Sequence, residues 1–198
     1  GNPKIEVAGD FALQKPGTCA GCEKRANKQP GSYPDAIEDP LGYLASPNPA
    51  GSPTRKECRT VGRQAVCSPG VYEGLFPTAS GGVSDFLLEP GVYILQYGLT
   101  MSHGTISGEG VMLYTVNGAM SISGDSRIKL TPPANGPYEG IAVFQERTGT
   151  GSLAIAGNAE ISVPGGTIYG ATQHLAMSGS SRIEANRILT RSVAMSGN

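Results

Sequence analysis

Ile122-Ser-Gly-Asp-Ser-Arg-Ile128 recurs as Ile155-Ala-Gly-Asn-Ala-Glu-Ile161 and again as Met177-Ser-Gly-Ser-Ser-Arg-Ile183. Met101-Ser-His-Gly-Thr-Ile106 is a variant one residue shorter, and Met195-Ser-Gly-Asn198 begins another copy. Alternation such as Met120-Ser-Ile122 puts large side chains on one face of a short strand and small hydroxyls on the other. The Ser-Gly-Asp/Asn/Ser that follows is a corner: glycine takes positive φ without cost, and Asp125 or Asn158 tolerates it. The next alternation, Ile128-Lys-Leu130 or Ile161-Ser-Val163, starts the next strand. The corner glycines Gly104, Gly124, Gly157, Gly179 and Gly197 stand 20, 33, 22 and 18 residues apart. A period of about 20 residues is that of a solenoid, in which no coil buries its apolar face alone and each stacks on its neighbours.

The expected fold is therefore all-β: a parallel β-helix with coils of about 20 residues. A β-sandwich competes, since it too has short strands and frequent turns, but it has no reason to repeat one corner motif. The spacing of 33 marks a coil with a loop at Thr131–Tyr138, where Pro132, Pro133, Asn135, Gly136 and Pro137 cluster. Val92–Leu95, Met112–Val116, Ile141–Phe144 and Thr167–Tyr169 are β-branched or aromatic, are bounded by turn residues, and are predicted strands. Pro69-Gly-Val-Tyr72 is echoed by Pro90-Gly-Val-Tyr93, 21 residues on.

Residues 14–60 depart from this pattern. Seven of the fifteen prolines fall there, which predicts an irregular excursion packed on the scaffold, with one short helical turn around Ala36–Leu44. The chain reads as a single domain over 1–198, with regular coils over 61–198. Fifteen basic and sixteen acidic residues leave a net charge of −1, which excludes a nucleic-acid binder working through bulk charge. No apolar run approaches the roughly 18 residues of a membrane span.

Several segments together carry a family resemblance. They are Asp39-Pro-Leu-Gly-Tyr-Leu44 followed by Pro47, the Pro-Gly-Val-Tyr pair, the repeated Ile/Met-Ser-Gly corner, Gly136-Pro-Tyr-Glu-Gly-Ile141 leading to Phe144-Gln-Glu-Arg147, and Gly166-Thr-Ile-Tyr169. In this order they resemble the repetitive C-terminal region of bacterial Tad-type (tight-adherence pilus) TadE/TadG-like proteins, over roughly residues 39–198. The resemblance implies a secreted or envelope-anchored surface protein with no known enzymatic activity, and no cofactor is expected.

Four cysteines offer three pairings: Cys19-Ala-Gly-Cys22, Cys58 and Cys67. Disulfides stapling the excursion fit a surface protein, and chain proximity favours Cys58–Cys67 with Cys19–Cys22. A four-sulfur zinc site is the alternative, but only half of its spacing signature is present. Catalysis of the polysaccharide-cleaving kind needs carboxylates stacked on successive coils. Asp125 matches Asn158 and Ser180, so the acid does not stack. Glu160 matches Arg127 and Arg182, which predicts a charge ladder on the outer face. His103 and His174 have no acid or cysteine at ligand spacing.

The start, Gly1-Asn2-Pro-Lys-Ile5, is phased as the second half of a corner motif, and Met195-Ser-Gly-Asn198 as its first half. Both ends read as open coils, which leaves two expectations: the sequence is a segment of a longer solenoid, or copies stack head to tail into a filament, the expected partner being the chain itself or other envelope components. The function expected from the residues is that of a non-enzymatic extracellular structural protein. A carbohydrate-binding or lyase-like module and an adhesin presenting the excursion are its competitors.

Overall fold

The computed structural model describes residues 1–9, 11–13, 38–77, 81–149 and 151–197; Cys19, Cys22, Asn198 and residues 14–37 of the excursion lie outside these. Among the described residues there is no helix, and the chain winds as a parallel β-solenoid of about six turns, each about 22 residues long. The first strands are β1 (Lys4–Val7), β2 (Phe11–Leu13), β3 (Thr54–Arg55), β4 (Arg59–Val61), β5 (Gln64–Cys67) and β6 (Gly70–Tyr72). Three coils follow, each of three strands: β7 (Asp85–Leu88), β8 (Gly91–Leu95) and β9 (Leu99–Met101), then β10 (Thr105–Gly108), β11 (Val111–Thr115) and β12 (Met120–Ile122), then β13 (Arg127–Leu130), β14 (Ile141–Gln145) and β15 (Leu153–Ile155). β16 (Glu160–Ser178) and β17 (Arg182–Ser196) each bend round a whole coil.

The coil thus has three faces. Face A stacks β5, β7, β10, β13, the first arms of β16 and β17, and finally β1. Face B stacks β3, β6, β8, β11, β14, the middle arms of β16 and β17, and β2. Face C stacks β9, β12, β15 and the last arms of β16 and β17. All these ladders are parallel. The antiparallel pair is β4 on β5, a hairpin over the first coil.

In-register stacking places like on like inside. Phe86, Ile106, Ile128, Ile161, Ile183 and Ile5 form one column on face A. Met101, Ile122, Ile155, Met177 and Met195 form another on face C. Ile106, Ile128, Ile161 and Ile183 are 0% exposed, each stabilising by about 1.5–3 kcal/mol. The Pro-Gly-Val-Tyr echo has a local cause. Tyr72 donates from its hydroxyl to the carbonyl of Ser68 at 2.8 Å, and Tyr93 donates to that of Glu89 at 2.8 Å, each four residues back. Their rings stack inside the coil with centroids 6.0 Å apart. Burial pushes the Tyr72 hydroxyl up to about 12.

Four of the predicted corner glycines turn as expected, with φ of 85° at Gly104, 61° at Gly124, 70° at Gly157 and 73° at Gly179. At Gly124 a Cβ would also stand 2.1 Å from the Ser102 carbonyl oxygen of the preceding coil. Gly197 differs: its φ lies outside the left-handed region, and a Cβ there would meet the Gly1 carbonyl oxygen at 2.7 Å, so close approach is what requires a glycine. The long coil carries its extra residues in two places, at 131–140 as expected and also at 146–152, between β14 and β15. Two successive turns, Gly42 N–H to Asp39 and Leu44 N–H to Leu41, stand at the C-terminal part of the expected helical turn. Strand structure also begins before residue 61, since β3 and β4 fall within the excursion and β1 and β2 precede it.

Gly124→Ala combines a left-handed φ with a backbone clash, whereas Gly136 (φ 89°) has nothing within 4 Å of a built Cβ. Urea unfolding is expected to show a loss of about 1–3 kcal/mol for Gly124→Ala. Gly136→Ala should cost measurably less. Equal losses would mean that the close stacking at the corner contributes nothing.

Candidate functional site

Face B is apolar on both sides. Its inward side chains join the core, and Val71, Ile94, Tyr114, Phe144, Tyr169 and Leu189 form an outward column with Met112, Ile141 and Ala171 beside it. An outward apolar sheet face needs a cover. Leu41 and Leu44 of the proline-rich segment, together with Tyr138 of the 131–140 loop, pack against it. The strap continues to Pro53, whose carbonyl accepts from Val71 N–H at 2.9 Å, and there it enters the sheet as β3.

Arg147 pins this strap. Its Nη1 donates to the Leu44 carbonyl at 2.9 Å, its Nη2 to the Leu41 carbonyl at 2.6 Å, and its Nε lies 3.3 Å from Asp39 Oδ2 and 2.5 Å from the Tyr169 hydroxyl. The guanidinium also lies 5.3 Å from the centre of the Phe144 ring and 5.0 Å from that of Tyr169. The Tyr169 hydroxyl donates to Asp39 Oδ2, and Asp39 Oδ1 accepts from Leu41 N–H at 3.0 Å. One turn of chain away, Tyr114 donates to Glu146 Oε2, while Glu146 Oε1 accepts from Arg147 N–H at 2.7 Å and Thr148 N–H at 3.4 Å. Tyr138 donates to the Ala45 carbonyl at 3.1 Å.

Burial opposes ionisation of Glu146. The hydrogen bonds from Tyr114, Ser46 and the backbone of Thr148 and Arg147 outweigh it and hold the carboxyl below its ordinary range. Burial, reinforced by the neighbouring carboxylate, pushes Tyr114 and Tyr169 up. Every carboxylate oxygen of Asp39 and Glu146 accepts a hydrogen bond from the chain itself. Chemically the cluster is a latch: its donors and acceptors hold one another and tie the strap to face B.

The sequence missed this cluster as a site because its members lie up to 130 residues apart. The available signal was the set of segments that carried the family resemblance. Asp39–Leu44, Tyr138, Phe144–Arg147 and Tyr169 all meet here. The other expected residues are dispersed. Asp125 and Asn158 stack at a corner, with Asn158 Nδ2 donating to Asp125 Oδ1 at 3.0 Å on the exposed surface. Arg127 Nε lies 3.9 Å from Glu160, but Arg182 bonds Glu6 on β1 instead of completing the ladder with Glu160. His103 contacts Ser102, and His174 contacts Ser192, its partner on the next coil; both contacts are exposed.

Cys58 and Cys67 form a disulfide across the β4–β5 hairpin, with Cα atoms 4.4 Å apart, which removes both from any four-sulfur zinc site. Among the described residues no three His, Cys, Asp or Glu side chains converge, and no helix is long and apolar enough to cross a membrane. Gly1, Asn2 and Ile5 lie at the same end of the solenoid as Met195 and Gly197, not at opposite ends. β1 pairs along Arg182–Ala185 of its own chain, so the strand edge expected to be open is occupied in cis.

Arg147→Ala should cost about 2–4 kcal/mol, because it leaves partly buried acceptors unpaired. It should also make residues 38–53 the first site of limited proteolysis. Arg147→Lys should not restore protection, since one ammonium cannot span four acceptors. The pH response has two limbs. Glu146, lowered by folding, contributes stability that is present above about pH 4.3 and is lost on acidification. Tyr114 and Tyr169, raised by folding, contribute stability that is present below about pH 10 and is lost above it. Protection of the strap should therefore be greatest between these limits, as read by proteolysis across pH with the protease corrected for its own profile. In comparisons with known proteins, the chain matches no family model, no curated protein and no solved structure.

Proposed function

We propose that the chain is a non-enzymatic structural protein of the bacterial cell surface, secreted or held at the envelope, with a second copy of itself or envelope components as partners. The observation that carries this reading is the latch. The two carboxylates gathered against an arginine and two tyrosines are bonded within the chain, and what they hold is the cover of face B. The Cys58–Cys67 disulfide supports an oxidising compartment. The resemblance to Tad-type surface proteins points the same way. A rigid solenoid suits a surface element, because each coil is held by ladders on three faces and needs no ligand to stay ordered.

Surface protease treatment of intact cells, followed by detection of this chain, tests the location; loss of the chain from the protease-treated, still intact cells is the expected result. Incubation of the purified protein with neutral and acidic polysaccharides tests the absence of chemistry, and no release of oligosaccharide is expected. Retention of the chain inside protease-treated cells, or cleavage of any of these polymers, would overturn the proposal.

A further inference from the structure

The hairpin that caps the first coil carries unbalanced charge. Residues 54–63 hold Arg55, Lys56, Arg59 and Arg63 against Glu57, a net charge of +3 in a chain whose total is −1. Ion pairs among the described residues engage Lys4, Arg127, Arg147 and Arg182, but none engages Lys56, Arg59 or Arg63, and all three are exposed. Arg55 is tied down, its Nε donating to the Pro69 carbonyl at 3.2 Å. The acids nearest in the fold are Glu57, on the same segment, and Asp85, in register with Gln64 on the next coil.

The backbone beneath these cations is rigid. The Cys58–Cys67 bond fixes the residue just before Arg59, with Cα atoms 4.4 Å apart. Arg59 pairs with Val66, and Val61 with Gln64, so only Gly62 and Arg63 make the turn. Gly62 takes a φ of 63° at the first of these two positions, the place a type II′ hairpin turn gives to glycine. Arg63 is thereby held at the tip and Arg59 on the strand. Charge on an edge strand also deters other strands from pairing, but mixed signs serve that purpose as well. Cations of one sign without counter-charges are what an anionic partner requires.

We propose that this capping hairpin docks the chain on an anionic glycan of the cell envelope, one bearing carboxylate or phosphate groups. The proposal rests on the cell-surface reading above and names the envelope component that the chain meets. Spread over residues 56–63, the cations suit an extended polymer with repeated anions, and the arginine forks match carboxylate and phosphate oxygens. A bilayer is the poorer fit. Surface attachment by charge uses clusters of about four to eight cations, or else an apolar anchor. Here three cations are free, and Val61, at 46%, is the exposed large apolar side chain of β4.

The experiment titrates the purified full-length protein with three polymers: polygalacturonate, poly(glycerol phosphate) and neutral dextran. Binding to at least one of the two anionic polymers and not to dextran is expected. Raising NaCl from 50 to 200 mM should weaken it roughly 20-fold, as for three neutralised anions. Arg59→Gln with Arg63→Gln should weaken it about tenfold, the worth of two exposed ion pairs, with the urea midpoint unchanged. Arg59→Lys with Arg63→Lys should restore most of it. Arg127→Gln with Lys129→Gln removes the same charge from face A and should leave binding as it is. Equal weakening by the two glutamine pairs overturns the proposal, as does equal binding to dextran. Binding to phosphatidylglycerol vesicles without binding to either anionic polymer also overturns it, in favour of a bilayer. None of these results touches the location of the chain, which protease treatment of intact cells reads separately.

Discussion

Parallel strands one coil apart keep register only if every coil returns to the same phase, and the corners enforce this. At Gly124 the chain turns with a φ of 61° directly against the Ser102 carbonyl oxygen below it. A side chain at such a corner would hold the coils apart. With none there, Ile128 settles between Ile106 and Ile161, and the column continues through Ile183 to Ile5. The core is thus a set of identical short-range contacts repeated along an axis, and each depends on the same backbone constraint.

A triangular coil creates a second problem on face B. Strands such as β11 and β14 are buried on both sides, so the stack carries an apolar surface outside its own core. The strap covers part of that surface, but proline-rich chain makes few ladder bonds of its own. Arg147 resolves this by bonding the strap's carbonyls at Leu41 and Leu44 while its charge is met by Asp39 and by the faces of Phe144 and Tyr169. Only a planar donor of this reach serves all these partners together. Asp39 and Glu146 are therefore engaged in fastening the fold.

The ends are handled by different means. At one, β4 folds back antiparallel on β5 and the Cys58–Cys67 bond closes the hairpin, replacing a parallel edge with exposed Arg59, Thr60 and Val61. At the other, the first residues of the chain lie on the last complete coil. The stack is bounded by one local element and one that spans the whole sequence.

The repeat was legible in the sequence because its cause is local: a corner glycine, a strand of alternating side chains and a period near one coil suffice to specify a parallel solenoid. The disulfide pairing was likewise favoured by proximity along the chain and is found between Cys58 and Cys67. The latch was not legible as a site, since Asp39 and Tyr169 are 130 residues apart and only the outward side of face B brings them together. The phase of the termini was also written in the sequence, where Asn2–Ile5 matches Asn158–Ile161. Phase alone names the kind of edge a strand fits and not which copy of that edge it meets. Tertiary structure decided that, by carrying the chain back along the solenoid so that its first strand meets its own last coil.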